Sequence, residues 1–442
     1  MKKSVGKRLL AAAVTLALAG GLLVGCGSTG EKGESAAAQS GTTEKSSDGD
    51  VTLTVWAWDV ALMQLKDCAA KYQEEHPNVK FNFVEMGTDQ VYKKLSTSLS
   101  TGNGIADIIQ IEGDVITSYE DKFPEGFLDL SDILNSDDFV QSKINECVYN
   151  DKTHAFPWDA GPMGLFYRTD YFEQAGVDAD SIKTWDDLIE AGKKVEAVCK
   201  TPGGDPVKML PVNPQKTNLY SMIRNELGTG LFDADGEPIV NNENSIKAME
   251  KAKQIYDSGI CLDYNGWDEY EQCVVNETVA CIPEAVWMIG TIKDKSPKTE
   301  GKWASTTLPM IDGGKYSCNN GGSDLAANAK TKYPEQVKDF IKFALTDKDL
   351  QIAGLEKYGL YPSYKPCYDA EIFTKGDSFF SGNVYAPFVE ASNNIADIPA
   401  SPNALEANDE VAVSCTQVYL NGADVKQTFN DLQNNFKNKY GH

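Results

Sequence analysis

Ala155-Phe156-Pro157-Trp158-Asp159-Ala160-Gly161-Pro162, then Gly164-Leu165-Phe166-Tyr167-Arg168-Thr169-Asp170, then Thr184-Trp185-Asp186-Asp187-Leu188: this stretch decides how the chain folds. Pro157, Gly161 and Pro162 suit an extended segment better than a regular element, and such a segment can pass between two lobes. Leu165 and Tyr167 alternate with Phe166 and Arg168, which is the period of a strand. Thr184 and Asp187 have the spacing of a capping box, and Leu188, Ala191, Val195 and Val198 then recur on one face of a helix. The region predicts a strand, a crossover and a capped helix.

Upstream, the pattern is strand, helix, strand. Leu53 and Val55 alternate with Thr52 and Thr54, Leu62, Leu65, Ala69 and Tyr72 recur at helical spacing, and Val79, Phe81 and Phe83 alternate again. His76-Pro77-Asn78 stops the helix. A second helix through Val91, Leu95 and Leu99 ends at Gly102-Asn103-Gly104, and a strand over 107–111 follows. Strands alternating with helices imply a mostly parallel sheet wound with helices.

Ligands of open α/β sheets sit beyond the carboxyl ends of the strands. Here those ends carry Trp56-Ala57-Trp58-Asp59 and Glu112-Gly113-Asp114, although Trp56 reads equally as core. Downstream, Leu210-Pro211-Val212, Ala280-Cys281-Ile282-Pro283 and the run 304–309 read as strands of a second lobe. Val337, Phe340, Ile341 and Ala344 share a face of a proline-led helix, and Val425, Phe429, Leu432 and Phe436 share one on the last helix.

The blocks Phe156-Pro157, Leu165-Phe166-Tyr167-Arg168-Thr169-Asp170-Tyr171-Phe172-Glu173-Gln174-Ala175-Gly176-Val177 and Thr184-Trp185-Asp186-Asp187-Leu188 stand in order, each without gaps. Together they resemble the signature region of extracellular solute-binding proteins of the maltose-binding type, the capture subunits of sugar ABC importers. The resemblance implies an α/β, two-lobed, periplasmic-binding-protein-like fold of type II. Each lobe would be a mostly parallel sheet flanked by helices, with 51–160 and 322–360 forming the N-terminal lobe and 161–321 and 361–442 the C-terminal one. Three crossovers, the last at Gly359-Leu360-Tyr361-Pro362, would make the hinge.

At the N-terminus Lys2, Lys3, Lys7 and Arg8 precede an apolar run from Leu9 to Val24, the form of a secretory signal occupying 1–25. Leu23-Val24-Gly25-Cys26 resembles the lipobox of bacterial lipoproteins, which makes Cys26 the expected lipidated residue, anchored to the outer face of the cell membrane. Residues 26–50 are Gly, Ser, Ala, Thr and charge, a composition unable to bury a core, and read as a disordered tether spanning roughly 25–30 Å. The net charge of −24 argues against nucleic-acid binding. Nine further cysteines show no CxxC and read mostly as small buried residues, with Cys273 and Cys281 the pair most open to bridging. The three histidines form no metal-ligand motif, and no cofactor is expected.

A soluble sugar presents hydroxyls in fixed directions and flat CH faces, so its site needs polar acceptors and aromatic platforms. Asp59, Glu112, Asp114 and Asp159 are the expected acceptors, and Trp58, Trp158 and Trp287 the expected platforms. Ile282-Pro283-Glu284-Ala285-Val286-Trp287 is similar to the family segment that presents a stacking tryptophan, which brings in Glu284. Gly321, Gly322 and Ser323 would let backbone approach a ligand or shape a turn, and Tyr361 and Trp267 complete the candidates. The expectation is a monomeric, non-enzymatic protein that closes on a mono- or oligosaccharide and delivers it to a permease with associated ATPase. Three alternatives stay open: a secreted glycoside hydrolase using two cleft carboxylates, a binder of another solute such as a polyamine, and a surface adhesin.

Overall fold

Val51-Thr52-Leu53-Thr54-Val55 has apolar side chains at every second position. In the computed structural model, which describes residues 49–399 and 401–441, Val51–Ala57 (β1) lies parallel to Val79–Glu85 (β2) and to Ile108–Glu112 (β3). Leu53 and Val55 face a core built with Leu62 and Leu65 of the helix Asp59–Glu75 and Val337, Phe340 and Ile341 of Pro334–Thr346. Trp56 faces the opposite core, with Val91 and Leu95 of Thr88–Thr101. The sheet is therefore covered on both sides, and each fully buried Leu or Val contributes about 1.5–3 kcal/mol.

The strands of the two sheets continue with Ala155–Pro157 (β4), Met163–Arg168 (β5), Leu210–Val212 (β6), Cys261–Asp263 (β7), Cys281–Ala285 (β8), Trp303–Thr306 (β9) and Ser323–Ala327 (β10). The first sheet has the order β2-β1-β3-β10-β4. In the second, β7 and β6 are parallel, and β5 lies antiparallel between β8 and β9. Ala280 N–H donates to Lys208 O (2.9 Å) and Cys281 N–H to Met209 O (2.7 Å), joining these parts in the order β7-β6-β8-β5-β9.

Each sheet thus contains one reversed strand in fourth place, β10 in the first and β5 in the second. The cause is connectivity. Both strands are entered from the hinge: Ser323 pairs with Glu112 at the carboxyl end of β3, and Met163 with Ala285 at the carboxyl end of β8. A strand that enters from the cleft must run against neighbours that end there.

The crossovers are pressed together. Asp159–Ala160 pairs with Tyr361–Pro362, Pro162 bridges Asn319, and Asn320 N–H donates to Gly161 O (2.8 Å). A Cβ on Gly161 would lie 2.1 Å from Asn320 O, and one on Gly322 2.7 Å from Asp159 O, so glycine is required at both.

Arg168 ends β5. Its Nε and Nη2 donate to the two carboxylate oxygens of Asp170 (2.8 and 2.7 Å), and Nη2 also meets Glu277 (3.0 Å), fixing the strand end to the second lobe. The capping box forms as expected: Thr184 Oγ accepts from Asp187 N–H (3.1 Å), and Asp187 Oδ2 from Thr184 N–H (2.9 Å). Leu188, Ala191 and Val195 of the helix Trp185–Val198 are buried, whereas Val198 is 46% exposed because it stands on the last turn, past the edge of the core. The final helix, Val425–Tyr440, buries Phe429, Leu432 and Phe436 in the second-lobe core.

All nine described cysteines are free, which corrects the pairing considered for Cys273 and Cys281. Their thiols face different partners: Cys273 Sγ approaches Glu269 O (3.4 Å), and Cys281 Sγ approaches Met209 Sδ (4.0 Å). Beneath the first sheet, Lys143 of the helix Gln141–Cys147 is fully enclosed between Asp324 of β10 (3.0 Å) and Glu146 (2.5 Å). Burial alone would lower the Lys143 ammonium; the two carboxylates outweigh it and hold its pKa up.

Candidate functional site

The carboxyl ends of β1, β3, β6 and β8 and the starts of β5 and β10 meet at one crevice between the lobes. Along its first-lobe edge runs a chain of hydrogen bonds. Trp58 N–H donates to Gln110 Oε1 (2.9 Å), Gln110 Nε2 to Ser323 Oγ (2.7 Å), and Ser323 N–H to Asp159 Oδ1 (2.7 Å). The tip of β1 is thereby tied through two neighbouring strands to the hinge. The Trp58 ring stands edge-on to Tyr92 (centroids 6.1 Å apart), and Tyr92 OH donates to Glu112 Oε2 (2.7 Å). Asp59 adopts φ 53°, a conformation that holds strain in a non-glycine residue. Burial and, secondly, the Glu271 carboxylate of the other lobe raise its pKa, although the side chain keeps solvent access.

The second-lobe wall is aromatic. Trp267 and Trp287 lie 5.7 Å apart at 52°, Trp267 and Tyr270 5.4 Å apart, and Tyr264 and Tyr270 4.8 Å apart. Trp267 is 40% exposed, and its Nε1 donates to Glu271 Oε1 (3.1 Å). Trp287 Nε1 donates to Asn320 O (3.1 Å), which fixes that indole against the floor. Glu284 accepts from Asn320 Nδ2 (2.6 Å), Ala285 N–H (2.8 Å) and Tyr270 OH (3.0 Å), and burial raises its pKa. The floor is Asn319-Asn320-Gly321-Gly322, with φ of 69° and 96° at the glycines.

Between these surfaces lies a cavity of about 640 Å³, within the usual range for small-molecule sites. Gly113 and Glu146 line it from the first lobe, Asn213, Asn218, Arg224, Tyr264, Tyr270 and Glu284 from the second, and Asn319 to Gly322 from the floor. At its mouth Lys122 pairs with Glu406 (2.9 Å) across the two lobes, a half-exposed contact of at most about 1 kcal/mol.

The sequence-based candidates fall into groups. Glu284, Gly321 and Gly322 line the cavity. Trp58, Asp59 and Glu112 stand at the ends of β1 and β3, and Trp267 and Trp287 stand beside the cavity residues Tyr270 and Asn320; none of these five lines the cavity itself. Asp114 takes the second position of the helix Gly113–Lys122, and its side chain is not among those described. Four others are enclosed in the framework.

Trp158 is 1% exposed, packed in the first-lobe core with its indole N–H on Gln64 Oε1 (2.9 Å), so it is no platform for a ligand. Tyr361 is likewise core, because its crossover is covered on both sides. Asp159 is buried and braces Ser323; burial pushes its pKa up to about 6. Ser323 itself is enclosed by Gln110 and Asp159. Cys26 lies outside the described residues.

Sequence reasoning missed Asn213, Asn218, Asn225, Asn408 and Arg224. Asn213 was findable, because it directly follows β6 and the strand-end rule applies there as at β1 and β3. The others stand on helices, whose cavity-facing positions carry no distinctive spacing.

Known proteins place this arrangement. The profile of the family described as bacterial extracellular solute-binding protein matches residues 62–351. The lactose-binding protein of Rhizobium radiobacter is 30% identical over 342 residues, covering 75% of this chain and 79% of that protein. The ABC transporter associated binding protein from B. animalis subsp. lactis Bl-04, solved in complex with beta-1,6-galactobiose, superposes with a TM-score of 0.75 at 25% identity, covering 88% of this chain and 97% of that one. The GacH receptor of Streptomyces glaucescens GLA.O, solved unliganded and with acarbose, gives a TM-score of 0.78 at 17% identity, covering 88% and 98%. With two lobes, a hinge of crossovers and a lined crevice between them, the chain belongs to the bacterial extracellular solute-binding proteins.

Proposed function

We propose that this protein captures a mono- or oligosaccharide in the interlobe crevice and presents it, chemically unchanged, to the permease of an ABC importer. The observation that carries this reading is one cavity lined by the rings of Tyr264 and Tyr270, with Trp267 packed beside Tyr270 and Trp287 beside Trp267, and by fixed amide and carboxylate groups at Asn320 and Glu284. Rings of a sugar stack on the first, and its hydroxyls bond to the second. The lactose-binding relative and the galactobiose complex support a carbohydrate ligand.

Binding is favoured over hydrolysis because Glu284, the sequence-based carboxylate that lines the cavity, already accepts three protein donors, and Glu112 accepts from Tyr92. The remaining parts of the proposal are a lipid anchor at Cys26, a monomer on the outer face of the membrane, and lobes bounded at 51–160 with 322–360 and at 161–321 with 361–442. Closure about the hinge then encloses the ligand.

The test is a thermal-shift screen against mono- and oligosaccharides, with polyamines and amino acids as controls. A glycan at 100 times its Kd should add about 2.7 kcal/mol of stability, and Trp287→Ala should weaken binding by about tenfold or more. Shifts with polyamines alone would overturn the substrate class. Glycan recovered shortened after incubation would restore the hydrolase reading.

A further inference from the structure

After residue 8 this chain contains only two arginines, Arg168 and Arg224, and lysine supplies every other cation apart from histidine. Arg168 has two carboxylates, Asp170 and Glu277, on its Nε and Nη2, although its Nη1 is enclosed without a hydrogen bond among the described residues. Arg224 forms no ion pair among the described residues. It stands on the helix Asn218–Glu226, is 8% exposed, and lines the interlobe cavity. Its Nη2 makes one long hydrogen bond to Asn225 Oδ1 (3.3 Å), and its guanidinium lies 5.5 Å from the Tyr220 ring centre. Although the guanidinium lies near enough to the buried Tyr220 hydroxyl to oppose the rise that burial causes in that hydroxyl's pKa, Nε and Nη1 are enclosed and make no close hydrogen bond among the described residues.

The carboxylates that line the cavity do not supply one. Glu146 is bound to Lys143, Glu284 is occupied by its three donors, and Asp397 is exposed at the rim. Enclosing a guanidinium without a counter-charge is expensive. A neutral sugar would hydrogen-bond to it but leave the charge uncompensated. An anionic group on the ligand does both, and arginine is the side chain best shaped for an oxyanion.

We infer that Arg224 is a specificity-determining residue and that the preferred ligand is an acidic saccharide, one whose sugar carries a carboxylate or a sulfate that sits on Arg224. This rests on the carbohydrate-binding reading of the same crevice. The aromatic wall and the Asn320–Glu284 floor hold the rings and hydroxyls, and Arg224 selects the charge.

The test is calorimetric titration of the purified protein with matched pairs: glucuronate, galacturonate and mannuronate mono- to trisaccharides, each beside its neutral hexose counterpart, and sulfated beside unsulfated hexoses. The expected result is binding of one acidic member ~10- to 100-fold tighter than its neutral partner, the range for hydrogen bonds to a charged group. Which arm responds separates carboxylate from sulfate. In Arg224→Gln that ratio should fall close to one, and in Arg224→Lys it should recover only in part. Neutral glycans binding as tightly as acidic ones would overturn this inference while leaving carbohydrate capture intact. No binding by either class would remove both.

A folding control uses the ligand-free variant. If the charge awaits a ligand, Arg224→Gln should melt no lower than the parent, since an uncompensated buried cation has gone. A melting point lower by more than ~5 °C, with the acidic-to-neutral ratio unchanged, would make Arg224 structural and refute the proposal.

Discussion

Replacing Gly322 with alanine adds one carbon where three crossover segments meet. That carbon would lie 2.7 Å from Asp159 O, 3.1 Å from Ala160 Cα and 3.3 Å from Gly161 N, all backbone atoms that cannot move without shifting the hinge. The residue also has φ 96°, which an L side chain rarely adopts. Gly176 provides the control: φ is 63°, and nothing lies within 4 Å of its added Cβ.

Gly176→Ala therefore carries only the left-handed strain of about 1–2 kcal/mol, partly offset by the ~0.4–1 kcal/mol that alanine removes from unfolded-chain entropy. Gly322→Ala carries comparable strain plus about 1–3 kcal/mol of overpacking. The expected losses are about 1 kcal/mol or less for Gly176→Ala and about 2–4 kcal/mol for Gly322→Ala. Urea unfolding followed by tryptophan fluorescence measures both in one protein. Equal midpoints for the two variants would refute the argument that crowding of the crossovers, rather than φ alone, demands glycine at 322.

Three further outcomes are expected. Burial pushes Glu226 up to about 8 and Asp159 up to about 6, so between pH 4 and 8 the folded chain holds more protons than the unfolded one. Stability should therefore fall as pH rises through that window; melting curves at pH 5 and 8 should show the higher temperature at pH 5, and a flat or opposite trend would count against it. Lys143→Met leaves Asp324 enclosed without its cation and should cost about 3–5 kcal/mol in urea unfolding, most of it recovered in the double variant with Asp324→Asn. Trp158→Phe removes the bond to Gln64 Oε1 and should lower stability by about 1–3 kcal/mol, yet leave calorimetric affinity for a bound glycan within about twofold. A large affinity loss would return Trp158 to the ligand.

The elements themselves were legible because their causes are local. Alternation at Leu53 and Val55, the Thr184–Asp187 box and the stop at His76-Pro77 each act within a few residues, and the strands and helices stand where these signals put them. Part of the crevice was legible for the same reason. Trp58, Asp59 and Glu112 follow strand ends, and in a wound sheet strand ends open on the cleft.

Tertiary structure alone decided which way each crossover side chain turned. Trp158 and Trp287 are both tryptophans near the hinge, but Asp159–Ala160 is covered on both sides while Trp287 begins a helix at the cleft edge. An alternating pattern shows that a strand has two faces; it does not say what covers them, nor does it reveal direction, so the reversed β5 and β10 were invisible to it. Arg224 was hidden for a related reason. A helix position enclosed by core and one enclosed by a cavity have the same spacing in the chain, and what distinguishes this cation is that Arg168 has ion pairs with Asp170 and Glu277 while Arg224 forms none among the described residues.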